Sequence, residues 1–363
     1  MAARIILSGI VAACLILSGA PLGAQNGQPA LSSAKPSELD TVVVTADRIP
    51  EKLRQVSQNI TVITSEEIQK SGAKNVMDLL KKTGIQTFSD GAEGYGNEGV
   101  VIRGGKTSMH GFDLAGDILV LVDGHRTASD FFTGLDLGNT ERIEIIRGPG
   151  AVQYGAAAMG GVINVITKRG REKTEAQVEV GFGSWGEKRV QAAASGRSGQ
   201  LDIAASASYF TRDEYKMGGS GGKLANSDLD FRTRYNLNLG WNFDDFNRVG
   251  LIFQGSKTEN AGKGISETST SAITGYRDTR QNRDNHSFDL SYEGRAEEAG
   301  MNWMARYFQG EIKYDLTRYY LPAAISGRQN YSSSENKFKG AQGQFGWDLG
   351  RLQFVTGVDW LSY

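Results

Sequence analysis

The residues able to do chemistry in this chain are few, and their spacing suits little of it. The three histidines, His110, His125 and His286, have none of the spacings of a metallohydrolase such as HExxH. His110 and His125 could serve as haem ligands. Asp228 and Asp230, next to the glycine-rich stretch 218–222, offer two carboxylates where calcium takes about six to eight oxygens. Gly-Ala-Glu-Gly-Tyr-Gly at 91–96 echoes a phosphate-binding loop. No helix opens after it and no Walker lysine follows, so its glycines serve turns and close backbone approach. No enzyme is indicated, and neither a resident metal nor a cofactor is expected. One stretch does carry a binding chemistry. Asp40-Thr41-Val42-Val43-Val44-Thr45-Ala46 is β-branched and bordered by polar residues. It reads either as a first strand or as an extended peptide that adds itself to a partner's sheet edge.

The elements around these residues begin with a processing segment. Met1–Arg4 is a short basic region, Ile5–Leu17 an apolar core, and small residues follow to Ala24, the pattern of a secretory signal peptide spanning 1–24. It is too short for a spanning helix. Cys14 is the only cysteine, and Leu15-Ile16-Leu17 continues the apolar core past it, which argues against a lipidation site. Residues 25–39 are polar, with Pro29 and Pro36, and read as a flexible linker. The chain has 363 residues, 40 Lys+Arg and 41 Asp+Glu. That balance supplies no general basic field for nucleic acid.

From Gln58 to Arg169 the pattern is that of a small domain of mixed strands and helices. Ile60–Ile63 reads as a strand. Thr64 and Glu67 have capping-box spacing for a helix ending near Gly72. Asn75 caps a second helix with Val76, Leu79 and Leu80 on one face, and Gly84 stops it. Val100–Gly104 and Ile118–Gly124 are further strands, the second apolar enough to be buried on both faces. Arg142–Arg147 and Val162–Thr167 are two more, separated by a glycine-studded turn.

After Thr174 the period becomes two. Leu229, Phe231, Thr233, Tyr235, Leu237, Leu239, Trp241 and Phe243 fall on one face, and Asp230, Arg232, Arg234, Asn236, Asn238 and Asn242 on the other. Runs of about 9–11 residues with two-faced alternation suit a transmembrane β-barrel. Trp185, Tyr209, Trp241, Phe246, Tyr307, Tyr319, Tyr320 and Trp347 sit near strand ends, as interfacial aromatics do. Short connections at 196–200, 244–247, 297–300 and 349–351 alternate with long polar ones at 216–227, 259–282 and 320–332. The short ones are expected to face the periplasm and the long ones the outside.

Four motifs in order, Val101-Ile102-Arg103-Gly104, Leu119–Gly124 (LVLVDG), Glu141–Pro149 (ERIEIIRGP) and Gly160–Lys168 (GGVINVITK), resemble the plug domain of the TonB-dependent outer-membrane receptors. The fold class is then an α+β plug domain followed by an antiparallel transmembrane β-barrel, present only as its N-terminal strands. The expected division is a signal peptide at 1–24, a linker at 25–39, a TonB box at 40–46, a plug at 47–170 and barrel at 171–363. Asp40, Thr41, Val42, Val43, Val44, Thr45 and Ala46 are similar to the TonB box, which binds TonB in the periplasm.

The resemblance further implies a receptor in the outer membrane of a Gram-negative cell. Its partners would be TonB with the inner-membrane energising complex, a scarce metal chelate, and outer-membrane lipid. The ligand would be a ferric siderophore, cobalamin or haem, taken up actively at high affinity. Candidate ligand-binding residues lie in two plug loops: Tyr95, Asn97 and Glu98, and Arg126, Asp130, Phe131 and Phe132. Arg103, Glu144 and Arg147 are expected in ionic contacts between plug and barrel wall. About eight strands and the start of another can be counted, whereas plug-holding barrels have about 22 strands. A fragment or truncated reading frame lacking more than half the barrel is therefore expected. The rival readings are a passive porin-like channel or surface-binding barrel without energy coupling, and a soluble secreted β-sandwich.

Overall fold

A computed structural model describes residues 43–44, 51–52, 59–89, 98–107, 116–126, 137–148, 158–216, 226–262, 276–320, 329–350 and 352–362. The segments read as signal peptide and linker lie outside them. Of residues 40–46, only β1 (Val43–Val44) is described, and its backbone pairs antiparallel with β2 (Glu51–Lys52).

The helices of the plug form where local sequence dictates. β3 (Ile60–Thr64) runs into α1 (Ser65–Ser71). Glu67 N–H donates to Thr64 Oγ1 at 3.3 Å and Thr64 N–H donates to Glu67 Oε2 at 2.7 Å, the reciprocal box the spacing predicts. Gly72, at φ 59°, ends the helix. In α2 (Val76–Lys82), Asn75 Oδ1 accepts the Asp78 N–H at 2.8 Å, and Val76, Leu79 and Leu80 are fully buried.

Three short strands, β4 (Gln86–Ser89), β5 (Glu98–Ile102) and β6 (Gly105–Lys106), form one antiparallel sheet. The larger sheet adds β7 (Ile118–Val122), β8 (His125–Arg126), β9 (Thr140–Arg147) and β10 (Gly161–Thr167) in the order β3-β9-β10-β7-β8. β10 is antiparallel to β9 and parallel to β7. Every residue of β7 is buried, as its unbroken apolar run predicts. One face packs Ile63, Leu79, Leu80, Val120, Ile143 and Ile163 together, the other Leu119, Leu121, Ile146 and Val162. Gly161 is at φ 154°, and a Cβ there would overlap the Ile146 carbonyl oxygen, so the entry to β10 requires glycine.

The remaining strands form a nine-stranded antiparallel sheet in sequence order. They are β11 (Glu175–Phe182), β12 (Lys188–Ser198), β13 (Leu201–Arg212), β14 (Leu229–Asn242), β15 (Asn247–Gly262), β16 (Tyr276–Ala296), β17 (Met301–Tyr320), β18 (Gln329–Asp348) and β19 (Gln353–Ser362). In β14 the predicted faces separate with an inverted sense. Arg232, Arg234, Asn236 and Asn238 are buried, whereas Trp241 is exposed and Phe231, Tyr235, Leu237 and Leu239 half-exposed. Polar side chains face in and apolar ones out, as in a membrane barrel wall. Leu229 departs from this, buried with Phe210 and Ala261.

Two expectations need correcting. The stretch 259–282 is not all loop, since β15 runs to Gly262 and β16 starts at Tyr276. Likewise β17 ends at Tyr320 and β18 begins at Gln329. Strands are also longer than expected, at 21, 20 and 20 residues for β16, β17 and β18. The ladder continues past the apolar band because its outer part is laced by charge. Lys257 pairs with Asp284, Asp284 with Lys313, and Lys313 with Glu335 across four strands. Opposite charges side by side suit a sheet standing in water.

Candidate functional site

The plug meets the wall along the polar faces of β12 to β17. Register makes this face a set of rows, because directly paired residues share a side. One row near the short turns runs Arg197, Asp202, Gly240, Gly250, Ser291, Arg306, Gln342, Asp359. The plug is tied to this row and to its neighbours.

The link leaving β10 is held first. Asn238 Nδ2 donates to Thr167 Oγ1 at 3.2 Å and to the Lys168 carbonyl at 3.0 Å. Asn238 Oδ1 in turn accepts from Arg248 Nη2 at 3.0 Å. Arg248 is fixed by two bonds to the Asp202 carboxylate, at 2.9 and 2.8 Å, the bidentate geometry that makes such pairs directional. Arg169 then pairs with Glu293 of β16. At Gly170 an added Cβ would overlap the Gly196 carbonyl oxygen and Ile203 N, so the backbone lies directly against the β12–β13 hairpin.

The turn between β7 and β8 is held next. Asp123 accepts from Thr167 N–H and Thr167 Oγ1, both at 2.9 Å, tying the turn to the end of β10. Arg306 Nη1 donates to the Asp123 carbonyl. His125 Nε2 stands 2.9 Å from Asp289 Oδ2, and its ring stacks on Phe308 with centroids 4.5 Å apart. Asp289 also faces Arg306 Nε at 3.4 Å. Further contacts join Asn139 to Asn236, and Lys74 Nζ to Glu187 Oε2 at 2.6 Å. Buried polar groups demand partners, and at Asn238, Asn139 and the Asp123 carbonyl plug and wall supply them to each other.

The residues predicted from sequence divide accordingly. Glu144 is fully buried inside the plug sheet, where Arg142 Nε donates to it at 2.8 Å and Asn164 Nδ2 at 3.4 Å. Arg147 Nη1 donates to Thr61 Oγ1 at 2.6 Å, also within the plug. Arg103 is exposed at φ 50°, its guanidinium beside Gly148. The cross-domain ion pairs described above are made instead by Lys74 and Arg169, and His125 contacts Asp289 across the same interface. Of the ligand-loop candidates, Tyr95, Asn97, Asp130, Phe131 and Phe132 lie outside the described residues. Glu98 and Arg126 are placed in the backbones of β5 and β8, and their side chains lie outside the description. His125, the candidate haem ligand, is engaged with the wall. His110 lies outside the described residues.

An α+β domain seated on the polar face of an antiparallel wall whose outer face is apolar is the architecture of a plugged outer-membrane β-barrel. Residues 52–162 match the family described as TonB-dependent Receptor Plug Domain, so this segment is similar to the plug of such receptors. The chain is 38% identical over 156 residues to the vitamin B12 transporter BtuB of Vibrio vulnificus, covering 42% of this chain and 24% of that protein. To the vitamin B12 transporter BtuB of Photobacterium profundum it is 35% identical over 174 residues, covering 46% and 27%. The chain thus spans about a quarter of the length of these relatives. The siderophore receptor PiuA of Acinetobacter baumannii shares the fold with a TM-score of 0.66 at 16% identity, covering 89% of this chain and 48% of that one. The copper transporter OprC does so with a TM-score of 0.66 at 16% identity, covering 83% and 45%.

Proposed function

We propose that the protein is a TonB-dependent outer-membrane receptor for active, high-affinity uptake of a scarce chelated nutrient, a ferric siderophore, cobalamin or haem. The observation that carries this reading is the plug itself, tied to the wall at both the β7–β8 turn and the link after β10. A domain so placed obstructs free diffusion, and passage requires that it be moved. Vitamin B12 transporters among the relatives, and siderophore and copper transporters among the structural neighbours, fit this class of cargo.

In this reading the long connections face outward and, with the plug loops carrying Tyr95, Asn97, Glu98, Arg126, Asp130, Phe131 and Phe132, receive the ligand. Asp40–Ala46 then offers a β-branched strand to the periplasmic domain of TonB, by strand addition. Work drawn through TonB from the inner-membrane energising complex loosens the plug. The proposed division is signal peptide 1–24, linker 25–39, TonB box 40–46, plug 47–170 and barrel wall 171–363.

The test is uptake by cells relying on this receptor, screened across ferric chelates, haem and cobalamin, with and without TonB. Uptake of one ligand should be lost both without TonB and on deletion of 40–46. Uptake that survives both changes would make the protein a passive channel.

A further inference from the structure

The inner face of the wall is polar along β14, yet near its outer end it turns apolar. Phe210, Leu229 and Ala261 are buried together there, from β13, β14 and β15. Strand pairing slips at the same level on both sides of β14 and β15. The β13–β14 register shifts between Phe210 and Arg212, and the β15–β16 register between Thr258 and Ala261. Asn260, in the second slip, has φ 53°. Bulges of this kind bend a strand and tighten its twist, and they are frequent beside functional sites. Outward reach does not require them, since β17 and β18 stay in continuous register from the Met301–Trp347 pair to the Tyr319–Gln329 pair.

Side chains lace the bulged ends together, with Arg280 of β16 at the centre. Its Nη1 donates to Asp228 Oδ1 at 2.7 Å and to the Asn260 carbonyl at 3.3 Å, and its Nη2 donates to Asn226 Oδ1 at 3.1 Å. One guanidinium thus spans from β16 across β15 to the residues leading into β14. Asn260 N–H donates to Asn282 Oδ1 at 2.7 Å, and Asn260 Nδ2 to Asp230 Oδ2 at 3.2 Å. Asp228 and Asp230, the carboxylates beside the glycine-rich stretch 218–222, are therefore both engaged in this lacing. A Cβ at Gly262 would overlap the Asn226 carbonyl oxygen, so the two backbones lie in contact.

A second group closes the other side. Arg212, 2% exposed, donates from Nη2 to the Ser227 carbonyl at 2.6 Å, and its guanidinium lies 4.0 Å from the centre of the Tyr215 ring. Tyr215 N–H donates to Ser227 Oγ and Asn226 N–H to Glu214 Oε1, both at 2.8 Å. Residues 214–215 and 226–227 are the two feet of the long connection after β13. Trp185 meets Tyr215 edge-on at 4.9 Å, and Glu187, two residues on, holds Lys74 of the plug. The brace is thus fixed relative to the plug as well as to the wall.

We propose that Arg280 is a positioning residue for ligand capture. It fixes the spacing between the feet of two long outer connections, one between β13 and β14 and the other between β15 and β16, without touching the ligand. The inference rests on the receptor reading above and deepens it. A ligand received between two connections must hold both at one separation, and any freedom left in that separation is ordering that binding has to supply. Setting the separation in advance leaves more of the contact energy as affinity. The planar fork of arginine suits the task, because one side chain reaches three acceptors on two segments, whereas lysine has a single nitrogen on a flexible stem.

The experiment takes two readings on the full chain and on its Arg280→Ala and Arg280→Lys variants. The first, which needs no ligand, is the distance distribution between spin labels at Lys216→Cys and Tyr276→Cys. Cys14 is the only native cysteine, so a Cys14→Ser background makes the labelling specific. The distribution should be narrow with Arg280 in place and broader in both variants. The second reading is saturable uptake by cells of radiolabelled cyanocobalamin and of an iron(III) tris-catecholate. For the probe that is carried, half-saturation should rise about ten-fold in both variants while the maximal rate stays the same. A residue that merely stabilises the wall would instead lower the maximal rate together with the heat-modifiable, folded yield. An unbroadened distribution, an unmoved half-saturation, full rescue by lysine, or a fall in maximal rate alone would overturn the proposal. If the unmodified chain carries neither probe, the receptor reading fails for both cargoes, and the distance distribution still decides whether Arg280 sets the spacing.

Discussion

His125 Nε2 and Asp289 Oδ2 lie 2.9 Å apart with both side chains 5% exposed, one in the plug and the other in the wall. Asp289 also answers Arg306 at 3.4 Å, so one carboxylate serves a plug residue and a wall residue together. Asp289→Asn keeps the shape and removes the charge, leaving Arg306 buried beside a neutral amide. Breaking a buried pair from one side costs about 3–5 kcal/mol. The variant should lower the denaturant midpoint for release of the plug, measured by protease access to the β7–β8 turn.

Gly170 offers a steric test of the same interface. Gly170→Val places a side chain against the Gly196 carbonyl and Ile203 N, backbone atoms of a hairpin that cannot swing aside. Overpacking of this sort costs about 1–3 kcal/mol. The expected result is a lower melting temperature and a smaller folded yield, both read on gels by heat-modifiability. A neutral outcome would mean that the link after β10 is free to lift from the wall.

Asn238 joins three partners from a fully buried position: Thr167, Lys168 and Arg248. Asn238→Ala strands the Lys168 carbonyl and one Arg248 N–H away from water, a loss of about 1–3 kcal/mol. Because Asp202 still holds Arg248, the wall should stay intact while the plug link loosens. Hydrogen exchange at residues 167–169 should accelerate, and exchange within β14 and β15 should change little.

Asp244, in the short turn between β14 and β15, gives a pH prediction. Its carboxylate accepts the Phe246 N–H, then the Asn247 side chain and N–H, and these hold its pKa below the ordinary aspartate value. A depressed folded-state pKa contributes stability above the unfolded value, and that stability is lost as pH falls through the folded one. The turn should therefore be insensitive to pH from neutrality down to about 4, and loosen below that. A carboxyl carbon shift titration of Asp244 checks the direction; a midpoint at or above the ordinary value would contradict it.

What the sequence made legible was local, and what it hid was long-range. Thr64 with Glu67, and Asn75 with Asp78, are neighbours along the chain, so their caps followed from spacing alone. The apolar run of β7 announced burial on both faces. The alternation of β14 gave its two faces, although which one met lipid followed only from the barrel reading. His125 carried no sign of Asp289, because register and docking, not spacing, bring them together. Glu144 and Arg147 were expected at the wall from the family resemblance, and within the plug sheet Glu144 accepts from Arg142 and Asn164 while Arg147 donates to Thr61. The outer ends of β15, β16 and β18 were missed because alternation of hydrophobicity stops there, while backbone pairing goes on.

The link after β10 is also a leash. β10 ends at Thr167 and β11 begins at Glu175, so the plug's last strand is joined to the wall by eight residue steps, about 28 Å when fully taut. The plug cannot travel farther than that as a rigid piece without unzipping β10 or peeling β11 from the sheet. In the proposed function, traction applied from the N-terminal side would have a fixed anchor to pull against. It would then open the plug progressively from that side, with the β10 end still moored.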